Sequence, residues 1–161
     1  VVFTPKKLLR YPKAVSSISD LTKGKFNVVL DDPRTSQVSE VKKVDTVILC
    51  SGKVYYEVLE RLEKEVKGSN IALVRVEQIH PLPQDAINGI IARYGKGVKV
   101  IWLQEEPENM GAWPFISMNF KGDIERVIAR PACGTTAAGS PIISARRHEA
   151  IIDAVMNYSI D

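Results

Sequence analysis

The chain has 161 residues, and 45% of them are hydrophobic, which fits one globular domain and argues against a largely disordered protein. It carries 22 Lys and Arg against 19 Asp and Glu, a formal net charge of +3, with both signs mixed along the sequence. This charge pattern therefore gives no indication of a nucleic-acid or membrane partner.

Cysteine usage and the absence of targeting signals indicate a reducing compartment. No stretch approaches the roughly 20 apolar residues of a membrane-spanning helix, and the start lacks a basic-then-apolar signal pattern. Cys50 and Cys133 form no CxxC pair, so we expect two buried thiols rather than a disulfide or a zinc site. The sequence predicts a cytosolic or organellar-matrix protein without a metal site.

The first forty residues show little regular pattern. Residues 1–3 predict a short apolar strand. The chain begins with Val rather than Met, which indicates a segment of a longer polypeptide. Residues 6–10 predict one helical turn, and residues 13–25 an irregular connection. The β-rich run "KFNVVLDD" predicts an edge strand over residues 26–30, and the polar residues 31–40 predict an exposed loop.

From residue 44 onward, strand and helix patterns alternate. A continuous β-branched run over residues 44–50 predicts a buried strand, and apolar residues at helical spacing predict a helix over residues 53–68. The following predicted elements are a strand within 70–83, a helix over 84–94, a strand over 98–104, a helix over 109–120, a strand within 123–131 and a helix over 144–158. In the last helix, Ile151, Ile152 and Val155 should face inward.

This alternation predicts an α/β fold. Parallel neighbours need a crossover, which is usually a helix, so the order indicates a mainly parallel sheet with helices on both faces. In such sheets, ligands bind outside the carboxyl ends of the strands. The candidate loops are therefore residues 51–53, 78–83, 104–111 and 131–140.

Two of these loops carry residues with catalytic potential. The turn Ser51-Gly52-Lys53 could hold an anion at a helix start, but the P-loop spacing is absent and a plain helix start is the commoner use. His80 could be a general base, yet no nucleophile is assigned to it, which favours a turn or interface histidine. A stand-alone hydrolase built on Ser51 and His80 is the weakest functional alternative.

Charged residues in two other segments need an explanation. Glu105 and Glu106 are paired carboxylates of the kind that can share acid and base roles, although adjacent Glu residues are also common on surfaces. The segment "ARRHE" places Arg146, Arg147 and His148 in the first turn of the last predicted helix, where cations meet the unfavourable end of the helix dipole. Binding of an acidic partner or ligand would explain that placement.

Several motifs together resemble one known family. The stretches "VVFTPKKLLR", "CSGKVYYE", "VRVEQIHPLP", "WLQEEPENMGAW" and "RPACGTTAAG" cover almost the whole chain. In this order they resemble the carboxyl-terminal part of the thiamine-diphosphate-dependent decarboxylating component of the 2-oxoglutarate dehydrogenase complex. A pyruvate or branched-chain dehydrogenase β-type subunit shares the fold, but the stretch TPKKLLR and the long insertion before "VDTVILC" argue against it.

The resemblance implies a transketolase carboxyl-terminal type domain over residues 26–161, preceded over residues 1–25 by the end of another domain and a linker. Its fold is a three-layer α/β/α sandwich whose five-stranded, mostly parallel sheet has one antiparallel edge strand, the role of residues 26–30. In this family thiamine diphosphate, magnesium and the catalytic histidines lie upstream. This chain should therefore contain no cofactor, no metal and no catalytic residues.

The resemblance also implies the reaction and partners of the parent enzyme. The reaction is oxidative decarboxylation of 2-oxoglutarate in the tricarboxylic acid cycle, with succinyl transfer to the lipoyl group of the dihydrolipoyl succinyltransferase component. The expected partners are that component, the remaining domains of the parent chain and the second subunit of a homodimer. The compartment would be the bacterial cytoplasm or the mitochondrial matrix.

Two roles for surface residues follow from the resemblance. The first is inter-domain or dimer contact, for which the expected residues are His80, Glu105, Glu106, Asn109 and Trp113. The alternative is a regulatory module that binds a CoA ester or a nucleotide, through Lys6, Arg10, Lys53, Gln104 and Arg130. In the family a Lys and a His stand where this chain has Ile142 and Ser144, so Arg130, Arg146 and Arg147 are the remaining local cations.

Overall fold

A five-stranded sheet with strand order β1-β3-β2-β4-β5 forms the centre of the computed structural model, which describes residues 1, 4–64 and 70–158. The strands are β1 (Val29–Leu30), β2 (Thr46–Cys50), β3 (Ile71–Val76), β4 (Lys99–Pro107) and β5 (Arg126–Arg130). Strands β2 to β5 are parallel, and β1 pairs antiparallel with β3 at one edge. The predicted fold class, with its antiparallel edge strand, is confirmed.

Helices cover both faces of this sheet. The α-helices are α1 (Ile18–Lys23), α2 (Val38–Val41), α3 (Val54–Lys64), α4 (Gln84–Arg93), α5 (Trp113–Asn119) and α6 (Pro141–Tyr158), with 3-10 helices at Lys6–Arg10 and Pro33–Thr35. The predicted turn over residues 6–10 is thereby confirmed. None of the helices in the described ranges is long and apolar enough to cross a membrane.

The core has two halves, one on each face of the sheet. Ile48 and Cys50 of β2 pack with α3 and α6, whereas Val47 and Leu49 of the same strand pack with α4 and α5. Because both faces of β2 are covered, every residue in it is buried, which explains the continuous apolar run in the sequence. Inward-facing Ile151, Ile152 and Val155 are confirmed, with at most 4% of their surface exposed.

The amino-terminal quarter of the chain differs from the sequence prediction. Residues 18–23 form α1 rather than an irregular connection, because Ser17 and Asp20 make a reciprocal capping box at its start. The exposed loop predicted over residues 31–40 is also wrong. That segment contains a 3-10 helix and α2, and Asp32 and Thr35 within it are buried.

Three element boundaries also differ. Strand β4 runs on to Pro107, so Glu105 and Glu106 lie on a strand end, and α5 begins only at Trp113. Helix α6 begins at Pro141 rather than residue 144, because Ser140 accepts a hydrogen bond from the Ile143 amide and proline suits a first helical position. Arg146 to His148 therefore lie in the second turn of α6, and their predicted first-turn position is wrong.

Two predictions fall partly outside the described residues. The strand over residues 1–3 and the end of the helix over residues 65–68 cannot be compared with the structure, since residues 2, 3 and 65–69 are not described.

Cys50 is buried, and burial raises the pKa of its thiol well above the usual range. Cys133 is only half-buried, so the prediction of two buried thiols is wrong for Cys133.

Candidate functional site

A cluster of charged side chains lies at the carboxyl ends of β2 and β4. Gly52 turns the chain out of β2 with φ of +75°, which few residues other than glycine adopt, and this turn places Lys53 just before α3. The Lys53 ammonium lies 2.8 Å from Glu105 Oε2 and 3.0 Å from Glu57 Oε2. Loops that follow two neighbouring strands thus meet through one lysine.

Glu57 is contacted by side chains from three parts of the chain. Besides Lys53, its carboxylate accepts a hydrogen bond of 3.1 Å from the Lys7 ammonium, and Oε2 lies 2.7 Å from His148 Nε2 of α6. The Nε2 atom is shielded from solvent and has no hydrogen-bond partner among the described residues, so this contact is a short approach without hydrogen-bond geometry. Glu57 therefore links the amino-terminal segment, α3 and α6.

Electrostatics keep this cluster ionised. Burial raises the pKa of Glu57, but hydrogen bonds from Lys53 and Lys7 together with their charges outweigh burial, and the net shift is downward. Burial lowers the pKa of Lys53, and the bonds to Glu105 and Glu57 reverse that shift to a net increase. Both partners are half-buried, which limits screening by salt.

We expect Glu57→Gln to lower the free energy of unfolding by about 1 kcal/mol at pH 7, because the Lys53 and Lys7 ammonium groups lose their shared carboxylate. Since the folded pKa of Glu57 lies below its ordinary 4.5, the ionised carboxylate stabilises the fold above that pH and loses this effect as the pH falls through the folded value. Urea unfolding from pH 7 down to about pH 3 should show the two proteins converging. Glu108→Gln, at an exposed position, is the control, and a gap independent of pH would refute the electrostatic explanation.

The acidic loop is organised by Gln104, which is 4% exposed. Its Oε1 accepts hydrogen bonds from Trp102 Nε1 at 3.0 Å and from the Trp113 amide at 2.8 Å. Its Nε2 donates to the carbonyl oxygens of Pro107 and Met110 at 2.9 and 2.8 Å. Every polar atom of this side chain is thus bonded within residues 102–113.

A second loop, residues 131–140, is fastened to the first by two side chains. Asn109 donates from Nδ2 to the Cys133 carbonyl and accepts at Oδ1 from the Cys133 amide, both at 3.1 Å. Arg130 donates from Nε to the Glu105 carbonyl at 2.8 Å and from its guanidinium to the Thr136 carbonyl at 3.3 Å. The two loops therefore form one connected surface.

Two clefts lie beside this surface. The first has a volume of about 290 Å³ and is lined by Lys7, Glu57, Glu60, Arg61, His148 and Glu149 together with Lys64 and Ile152. The second has a volume of about 220 Å³, and its lining includes Glu105, Arg130, Thr136 and His148. His148 lines both clefts, and the lining of the first contains both cations and carboxylates.

The structure brings only some of the predicted site residues together. Lys53, Glu105 and Arg130 meet, whereas Lys6 and Arg10 are exposed on the first 3-10 helix, where Lys7 makes the contact instead. His80 packs edge-on against Phe115 with ring centroids 5.6 Å apart. The inter-domain and effector assignments of these residues stay predictions.

Glu57 was not among the residues predicted from the sequence, and His148 was considered only as part of the basic segment ARRHE. Glu57 stands four residues after Lys53, a spacing at which helical side chains pair, so this half of the cluster could have been found from the sequence. The approach of Lys7 and His148 depends on tertiary packing and left no sequence signal.

The amino-terminal residues 4–27, which we call the arm, contact the domain on one side. Lys7 pairs with Glu57, Lys13 pairs with Glu63, and the Tyr11 ring meets the Tyr56 ring edge-on at 5.5 Å. Neither helix of the arm contains a buried residue. The exposed apolar side chains of the arm, between 67% and 80% exposed, are Leu9, Val15, Ile18, Leu21 and Phe26.

The described residues offer no evident place for the implied magnesium ion. Within residues 1, 4–64 and 70–158, no group of three His, Cys, Asp or Glu side chains is arranged to hold a metal.

Comparison with known sequences gives a consistent result. Residues 15–156 match the family described as 2-oxoglutarate dehydrogenase C-terminal. The chain is 40% identical over 156 residues to the 2-oxoadipate dehydrogenase complex component E1 of Xenopus laevis, with 94% of this chain covered. It is 37% identical over 159 residues, with 96% covered, to the 2-oxoglutarate dehydrogenase E1 component of Cupriavidus necator.

A mycobacterial relative extends the comparison. The multifunctional 2-oxoglutarate metabolism enzyme of Mycobacterium sp. strain KMS is 38% identical over 162 residues, with 95% of this chain covered. The chain spans only 16%, 16% and 12% of the lengths of these three relatives. The similarity is therefore confined to a small part of each relative.

Proposed function

The chain belongs to the 2-oxoglutarate dehydrogenase C-terminal family, and we propose that it is a structural and inter-domain unit of a larger 2-oxo acid dehydrogenase component. The arm carries this proposal. It contacts the domain through polar and aromatic groups on one side and leaves five large apolar side chains exposed. Apolar surface of that extent is typical of a contact with further protein.

The arm is the proposed connection to the upstream domains. Its helices bury no residue, whereas the sheet and its two-sided core begin with Val29 and Val44. These observations support our proposal that the domain comprises residues 26–161 and that residues 1–25 are the end of the preceding domain and a linker, so that the last two residues of the arm belong to the domain. The family match from residue 15 also includes part of this linker.

The proposed activity of the parent is oxidative decarboxylation of 2-oxoglutarate, with thiamine diphosphate and magnesium held by its upstream domains. Relatives named for 2-oxoglutarate and for 2-oxoadipate match this chain at 37% and 40% identity, so these two acids are the substrates to test. We propose a homodimer that passes the acyl group to the dihydrolipoyl acyltransferase component. Its compartment would be the bacterial cytoplasm or the mitochondrial matrix, and the pathway the tricarboxylic acid cycle.

The connected surface of the two loops is the second proposed contact region. Glu106 and Asn109 are exposed there and Trp113 is half-buried, while Gln104 and Asn109 hold the loops in one arrangement. A preformed surface loses little conformational entropy on binding, which suits a permanent inter-domain contact. His80 and Glu105 complete the proposed contact set.

The experiment compares the 161-residue chain with the complete polypeptide encoded by its gene. Each is incubated with thiamine diphosphate, magnesium, an electron acceptor and labelled 2-oxoglutarate or 2-oxoadipate, and released CO2 is counted. We expect turnover by the complete polypeptide only, because the proposed cofactor site lies outside this chain. Turnover by the 161-residue chain, or a complete polypeptide inactive with both acids, would reject the proposed function.

A further inference from the structure

The outer face of α6 is an exposed surface that the proposed function leaves unexplained. We use this name for Ile142, Ile143, Arg146 and Arg147 on the first two turns of the helix. They form two i, i+4 pairs, in which each isoleucine is followed four residues later by an arginine. Ile142 is 81% exposed and Ile143 50% exposed, and both arginines are exposed. The residues of α6 that enter the core, from Ile151 to Met156, lie on the opposite side of the helix.

The local structure does not account for this composition. Within the described residues, neither Arg146 nor Arg147 has an ion-pair partner, since the nearby Glu149 and Asp153 are both held by Arg61, at 2.8 and 3.1 Å. The first turn of α6 contains no acidic residue, so neither arginine has a carboxylate one turn before it on the helix. Solvation of a polar helix face gives no reason for two isoleucines beside them.

We propose that the outer face of α6 binds an acidic segment that also carries apolar side chains, supplied by the upstream part of the same polypeptide. Carboxylates are the complement of the two guanidinium groups, which bind them with two parallel hydrogen bonds. Apolar side chains of the segment would cover Ile142 and Ile143, so the binding combines burial with charge pairing. The partner is thus defined by chemistry that matches both halves of this face.

The source of the segment follows from the length of the parent and rests on the proposed function. The chain spans 12% to 16% of its relatives and matches a family described as C-terminal, so most of the parent precedes residue 1. A segment tethered in the same polypeptide acts at an effective concentration of about 1 mM, far above that of a separate protein. Attached chain is therefore the first occupant expected on this face.

Amide hydrogen exchange of α6 tests the inference without relying on activity. We expect the amides of residues 144–150 to exchange about tenfold more slowly in the complete polypeptide than in the 161-residue chain, because the bound segment suppresses local opening. Arg146→Glu with Arg147→Glu in the complete polypeptide should abolish this difference, and Ile142→Ser with Ile143→Ser should reduce it. The four positions are exposed, so thermal unfolding should confirm that the variants fold.

A matched control and four outcomes complete the test. Lys42→Glu with Lys43→Glu reverses two adjacent exposed lysines and should leave the slow exchange unchanged. Equal exchange in both proteins would overturn the inference. Slow exchange that appears only when a partner protein is added would overturn the inference in favour of that protein as the occupant. Exchange that becomes slower as the concentration of the 161-residue chain alone rises would overturn it in favour of a second copy of this chain. Loss of CO2 release with slow exchange retained would reject only the proposed function.

Discussion

Asp32→Ala is expected to lower the free energy of unfolding by about 3 kcal/mol, because the Asp32 carboxylate is fully buried and holds the edge of the sheet. Strand β1 pairs with β3 only at Val76 and Arg75, which leaves the outer edge of β3 open beyond that point. Asp32 closes the opening, because its Oδ2 atom accepts a hydrogen bond of 2.7 Å from the Leu73 amide nitrogen. Without the carboxylate, that buried amide and the Arg34 guanidinium lose their partners.

Arg34 makes the loss larger than that of a single hydrogen bond. Its guanidinium lies 2.6 Å from Asp32 Oδ2 and donates a hydrogen bond of 3.0 Å to the Ile71 carbonyl. Asp32 and Arg34 together therefore bind backbone groups of β3 that a neighbouring edge strand would otherwise bind. Removing the acid leaves this half-buried cation unpaired, and breaking one side of such a pair costs more than removing both. Arg34→Met together with Asp32→Ala should therefore be less damaging than the sum of the single variants.

Urea unfolding followed by circular dichroism measures these changes as shifts of the midpoint. Asp123→Ala, at an exposed position, is the control and should change stability by less than about 0.5 kcal/mol. Asp32→Asn retains one acceptor oxygen and replaces the other with an amide NH2 group, so it should lie between the wild type and Asp32→Ala. A loss below about 1 kcal/mol for Asp32→Ala would show that water replaces the carboxylate at the Leu73 amide.

Gln104→Ala is expected to cost about 3 kcal/mol, because it removes the side chain that joins both ends of the acidic loop. Three groups would lose their partner, the Trp102 indole N–H, the Trp113 amide and the Met110 carbonyl, whereas the Pro107 carbonyl keeps a bond of 2.8 Å from the Met110 amide. Each buried polar group without a partner costs about 1 to 3 kcal/mol, and partial hydration of the loosened loop offsets some of the sum. The loop should therefore lose order before the sheet does.

A second variant separates hydrogen bonding from volume. Gln104→Met fills nearly the same space without the amide, so most of the loss should persist if the hydrogen bonds are responsible. Unfolding in urea and the tryptophan fluorescence of Trp102 report global stability and the environment of the loop. Gln37→Met is the exposed control. Recovery of wild-type stability by Gln104→Met would show that the alanine variant suffers only from a cavity.

Much of the fold could be predicted because its pattern is local. Continuous β-branched runs identified the parallel strands, and helical spacing in α3 and α6 identified the residues that enter the core. The antiparallel edge strand was predicted as well, although it is only Val29–Leu30. These features follow from side-chain burial within a few consecutive residues.

The candidate site was less predictable, since it depends on residues far apart in the sequence. Lys53 and Glu105 follow adjacent strands, and the general position of ligands in α/β sheets was enough to select their loops. Gln104 was assigned to effector binding, but its burial among the atoms of its own loop could not be read from a polar residue after a strand. Polar residues identify a loop without saying whether they face solvent or the loop itself.

Within the described residues, the sequence by itself determined the alternation of strands and helices from residue 44 onward, the two-sided burial of the sheet and the motifs that mark the family. Only the tertiary structure decided that Glu57 meets both Lys7 and His148, and that the segment 31–35 seals the edge of β3 rather than forming an exposed loop. The physical reason is the separation along the chain of the residues on which each feature depends. Periodic burial is encoded in neighbouring residues, whereas the pairing of a charge depends on which distant chain segments the packed core brings within a few ångströms.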